Sequence, residues 1–325
     1  MLKQILALNP ESYPRHLIHG EDRAWAETNC YSDIWIELLH AMGYEPIAAL
    51  PFTLSIDFEG DQWTFFKFPL LDLRELYGLD VQELAVWRPL VSHIEEQVSR
   101  GCPVLVELDS FHLPDTAGTA YKIAHVKSTV AITEIDVENK HLGYFHGRGY
   151  YYLQGDDFVD VFHLCGEPDP ATLPPYMEFV KVRKTPKLDD AALLQTSLKI
   201  LKKHLQWVPA ENPFTHFKAR FERDLAWLLT DNLETFHQYS FATLRQYGAC
   251  YELSATYLQW LAAQGEAGLA VPTRAFLDMS EGAKTFQFQL ARAMSRRKPL
   301  DMSPLDAMAA HWETGMAALK ALYLK

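Results

Sequence analysis

Cysteine is scarce and unpatterned in this chain. Cys30, Cys102, Cys165 and Cys250 are the only four in 325 residues, and none stands in CxxC spacing. That excludes a zinc ribbon and a disulfide-built scaffold, and it predicts a reducing, cytoplasmic setting. Long apolar runs are missing too. No stretch approaches the roughly 18 apolar residues of a membrane-spanning helix. The opening MLKQILALNPESYPRH lacks the apolar core and small-residue cleavage site of a secretory signal. Basic charge is in deficit: 30 Lys and Arg stand against 42 Asp and Glu, a net charge of −12. Phosphate contacts need a basic surface, so nucleic acid is not an expected partner, and neither is a membrane. Internal repeats and low-complexity segments are absent. What remains is a globular composition, 48% hydrophobic and 22% charged, long enough for two domains of ordinary size.

The β-rich runs lie between residues 46 and 183, whereas 188–325 reads as helices. Arg183-Lys184-Thr185-Pro186-Lys187 is polar and broken by proline, which makes it the expected linker. Domains are therefore expected at 1–186 and 187–325, in an α+β fold. In the first, a helix is predicted from Cys30, with Asn29 as N-cap and Gly43 closing it. A hairpin is predicted around Glu59-Gly60-Asp61, with a helix over 71–99. Strands are predicted at 103–109, 125–137, 141–147 and 150–154, with a short helix after Asp156-Asp157 and a last strand at EFVKVRK. In the second domain, helices are predicted at 188–205, 214–229, 244–263, 281–294 and 304–322.

Two residues carry chemistry. Cys30 opens an apolar-periodic helix, where unpaired first-turn amides and the helix dipole favour a thiolate and would hold an oxyanion. The bland alternative is a small buried side chain packing the helix start. His125 opens a strand after a loop, a suitable place for a general base, or simply a core or solvent-facing histidine. Cys102, Cys165 and Cys250 read as structural. His16, His19 and His163 form no metal pattern. Arg292, Arg296, Arg297 and Lys298 form a cationic cluster, either a docking patch or a solvated helix end.

A cysteine on a helix facing a histidine on a sheet is the papain-like arrangement. The order Cys-helix, then G-x-P-V-L-V-x-L-D, then His125 and a strand ending near YFHG resembles the N-terminal domain of butirosin biosynthesis protein H. More distantly it resembles bacteriocin-processing peptidases. ETNCYSDIWIELLHAMG is similar to an uncharacterised bacterial family found alongside carrier proteins and amino acid–carrier-protein ligases. The resemblance implies a papain-like domain, an N-terminal helix on an antiparallel sheet, followed by an all-helical domain.

It also implies acyl transfer. An aminoacyl group would arrive as a thioester on the phosphopantetheine arm of a carrier protein, pass to Cys30, and move on to a small amine acceptor, with His125 as base. No bound cofactor or metal is implied. Rival readings are an amidohydrolase or peptidase on the same site, and a catalytically inactive papain-like binding module. The place where the family puts Asp or Asn after the catalytic histidine holds His146. Asp109 matches the Asp that ends the family's P-V-x-V-x-x-D pattern, as a loop brace or as part of the site. The third catalytic member is therefore Asp109 or His146. The peptidases' glutamine is replaced by Ala24, so a side-chain oxyanion donor would be Asn29 or a residue of the arm. Arg245, Tyr247 and Tyr251 of the 244–263 helix are the expected substrate-binding residues.

Overall fold

The strands expected between residues 103 and 183 form one antiparallel sheet in the computed structural model, which describes residues 1–165, 173–183 and 186–324. By contact the chain divides into two compact units. Met1–Gly20, Asn29–Pro46 and Leu70–Lys187 make the sheet unit; Glu21–Thr28, Ile47–Pro69 and Leu188–Lys325 make the helical unit. A single cut at 186/187 assigns residues 21–28 and 47–69 to the first domain, whereas their packing places them in the second. Of the expected linker, Lys184 and Thr185 lie outside the described residues.

In the sheet unit, β1 (Lys3–Gln4) precedes α1 (Cys30–Ala41), α2 (Leu70–Tyr77), β2 (Leu79–Glu83) and α3 (Leu90–Ser99). Then come β3 (Val104–Asp109), β4 (Lys127–Asp136), β5 (His141–His146), β6 (Gly149–Gln154), α4 (Asp156–Val161) and β7 (Met177–Val182). The strand order is β2-β7-β3-β4-β5-β6, with β1 pairing β4. The side chains of β4 alternate between faces. Val130 and Ile132 join Val104, Val106 and Leu108 in a core against Val91, Ile94 and Val98 of α3. The opposite face takes α1, whose Cys30 meets Thr129.

The helix at Cys30 forms for the expected reason. Asn29 is extended, its side-chain oxygen accepts from Ser32 N–H at 2.9 Å, and Gly43 takes a φ of +73° past the end. The single helix expected over 71–99 is instead α2, β2 and α3. Gly78, at φ +68°, ends the first helix, and the proline-led start of α3 prevents continuity. The expected hairpin around Gly60 is reduced to one bridge, Phe58 to Trp63. Its first arm begins in a 3-10 stretch, Pro46–Ser55, which contains Pro51, a residue with no N–H to give a ladder.

The helical unit holds α5 (Asp190–Leu205), α6 (Pro213–Leu228), α7 (Leu233–Ser240), α8 (Gln246–Ala263), α9 (Ala270–Arg296) and α10 (Ser303–Tyr323). The sequence missed α7 and the first three turns of α9. Trp63, brought in from the segment 47–69, stacks with Phe214 at 4.8 Å and with Tyr247 at 5.0 Å. Such aromatic clusters account for much of a unit's buried area.

Candidate active site

Cys30 begins α1 and is partly buried. Its Sγ donates to Thr129 Oγ1 at 3.7 Å. Thr129 pairs with Glu107 across the β3–β4 ladder, and Asp109 stands two residues beyond Glu107. Residues two apart on a strand share a face, so the thiol and Asp109 lie on the same side of the sheet. There Asp109 Oδ2 receives His125 Nδ1 at 2.5 Å, and Asp109 Oδ1 accepts the Phe111 N–H at 3.0 Å. Partial burial pushes the Asp109 carboxyl up, but the bonds from His125 and Phe111 more than offset it and hold it below the ordinary carboxylate range. His125 stacks flat on Phe111, with centroids 4.4 Å apart, and its side chain is 72% exposed. With Nδ1 engaged by a carboxylate, Nε2 is the nitrogen turned to chemistry.

The expected direct contact between Cys30 and His125 is therefore replaced by two separate bonds, thiol to Thr129 and imidazole to Asp109. The strand expected from residue 125 begins at Lys127, so His125 stands in the segment before β4 and not within it.

His146 does not orient His125. Its Nδ1 meets Asp115 Oδ2 at 2.5 Å and its Nε2 meets Ser128 Oγ at 2.6 Å. Ser128 neighbours Thr129 on β4, so this group occupies the face opposite Cys30. Of the two candidates for the third position, Asp109 is the one beside His125. The carboxamide oxygen of Asn29 caps α1.

Three expected substrate-binding residues are corrected. Tyr247 and Tyr251 are fully buried, because residues 246–258 of α8 are covered on every side and both rings pack on Phe214. Burial pushes both phenols well above the ordinary value. Arg245 is occupied by main-chain carbonyls: Nε donates to Thr28 at 2.9 Å and Nη2 to Glu27 at 3.2 Å. It straps residues 21–28 to the helical unit.

The other cysteines differ. Burial pushes the thiols of Cys102 and Cys250 up, which suits structural roles. Cys165 is exposed, not structural, and has to be separated from Cys30 in any labelling experiment. Among the described residues, His112, Asp157 and Asp160 bring donor atoms within 4.8 Å of one another. Asp157 is already engaged by Lys122 at 2.7 Å and by the Tyr121 hydroxyl at 2.8 Å.

The sequence also missed a buried ionic cluster under α1. His19 Nε2 lies 3.3 Å from Asp33, and its Nδ1 bonds Glu37, which also takes the Tyr13 hydroxyl at 2.6 Å. The signal was present as two carboxylates four residues apart on an otherwise apolar helix. Burial pulls the His19 value down, but the bonds and charges of Asp33 and Glu37 outweigh it and raise it from 6.5 to about 9. A raised folded value means this stabilisation is complete below pH 6.5 and lost as pH rises through about 9. The denaturant midpoint is therefore expected to fall across that window, read by circular dichroism. A flat midpoint there means His19 is not charged in the fold.

A model of the DUF1839 N-terminal domain matches residues 14–182, and one of the DUF1839 C-terminal domain matches 190–321. The chain belongs to the DUF1839 family. This family is uncharacterised, so membership gives the two-part organisation and leaves the chemistry to the site. The DUF1839 N-terminal match spans Cys30, Asp109, His125 and His146. No curated protein matches the chain. Among the described residues, no helix is long and apolar enough to cross a membrane.

Proposed function

We propose that the chain is a cysteine-dependent acyltransferase that moves an aminoacyl group from a carrier-protein thioester through Cys30 to an amine. The observation that carries this is the Asp109–His125 pair standing on the same sheet face as a thiol at a helix N-terminus. Cys30 Sγ attacks the thioester carbonyl, the bond from that carbon to the phosphopantetheine sulfur breaks, and the proton lost by Cys30 passes to the departing sulfur, so the arm leaves as its thiol. The amine then attacks acyl-Cys30, and its proton passes to His125, which Asp109 orients. The first-turn amides of α1 receive the oxyanion. The exposed Arg292, Arg296, Arg297 and Lys298 offer positive charge to an acidic carrier.

A second reading, a papain-like binding module without catalysis, is favoured by the bond from Cys30 to Thr129. Mass spectrometry after mixing with aminoacyl-loaded carrier proteins separates the two. Acyltransfer predicts an aminoacyl adduct mapped to Cys30 and absent in Cys30→Ala. A chain that binds the loaded carrier, gains no adduct and resists iodoacetamide at Cys30 belongs to the second reading.

A further inference from the structure

We propose that Ser128, His146 and Asp115 form a second nucleophilic site, a serine triad accepting acyl groups from small esters on the sheet face opposite Cys30. The three side chains stand in hydrogen-bonded series. Ser128 Oγ meets His146 Nε2 at 2.6 Å, and His146 Nδ1 meets Asp115 Oδ2 at 2.5 Å. Asp115 Oδ1 is held in turn by the Tyr144 hydroxyl. This is the order of roles in a serine acyl-transfer site: nucleophile, base, and a carboxylate that fixes the base's tautomer and orientation. The base and its orienter are sheltered, with side-chain exposures of 12% for His146 and 5% for Asp115. Two members are fixed by the sheet. β4 and β5 pair from Ala131–Phe145, which brings Ser128 and His146 to the same end of the ladder.

That end also supplies donors. Val126 carbonyl accepts from Ser110 of the β3 side, so alternation turns the N–H groups of Lys127 and Thr129 to the β5 side, beyond the last β4–β5 pair. These two N–H groups are assigned to the oxyanion. Ser128 is 8% exposed, so small esters are the substrate class assigned to it. In the reaction Ser128 Oγ bonds the carbonyl carbon and gives its proton to His146 Nε2. The ester C–O bond breaks, the alcohol takes that proton, and water then releases the acid by the same route.

The test is a fluorophosphonate probe on the full chain, with peptide mapping. Attack forms a P–O bond at Ser128 and expels fluoride. The expected result is a phosphonyl adduct on Ser128 in the Cys30→Ala variant, lost in Ser128→Ala and slowed 100-fold or more in His146→Asn. No adduct on Ser128 in a folded, unsubstituted chain overturns the proposal. So does labelling that is as fast in His146→Asn, because the serine would then be unassisted. Since the unsubstituted chain is labelled first, misfolding of a variant does not hide the outcome. The result is independent of any adduct on Cys30.

Discussion

His125→Ala is expected to slow release of the aminoacyl group from Cys30 by about 10²–10⁴-fold, the usual contribution of a positioned general base. Loading of Cys30 from the carrier should persist, because the proton that leaves Cys30 is taken up by the departing phosphopantetheine sulfur, whereas the amine's proton has to be removed by a base. The adduct would then accumulate, which quenched mass spectrometry reads directly. Asp109→Asn should give the same pattern more weakly, since it removes the charge that orients the imidazole while leaving the ring in place. If the adduct discharges to the amine at an unchanged rate in His125→Ala, His125 is not the base, and Asp109 is a brace for the loop through Phe111.

His19→Ala is expected to destabilise the chain by about 3–5 kcal/mol at neutral pH, the range for breaking a buried charged group by removing one partner. Asp33 and Glu37 are both almost completely buried, and the imidazole lies between them. Without it, two buried carboxylates four residues apart on one helix lose the imidazole that both of them contact. The penalty should shrink as pH rises through about 9, where His19 loses its charge in the folded chain. Urea titration at two pH values measures this. An unchanged midpoint at neutral pH means the cluster contributes no net stabilisation. Cys30 opens the same helix, so a fold weakened at His19 should also disturb thiol labelling.

Much of the sheet unit was legible because its signals are local. Asn29 caps α1, Gly43 follows it, and the apolar runs at 104–109 and 127–136 are strands. A cap and an alternating pattern act within a few residues, so sequence reports them. The segment 46–69 misled because its β-rich composition reflects burial of aromatic rings in the helical unit. Trp63 and Phe58 pack on Phe214 and Phe217. A buried aromatic run reads the same in a strand or a coil.

The sequence by itself determined which residue types were at hand: a thiol at a helix start, a histidine at a strand mouth, a carboxylate ending β3. Only the tertiary structure decided who meets whom. Asp109 takes His125, Thr129 takes Cys30, and Asp115 with Ser128 takes His146. The reason is that partnership across a sheet depends on register and face. A shift of one residue carries a side chain to the other side, as from Thr129 to Ser128, and no local pattern records the pairing between distant strands.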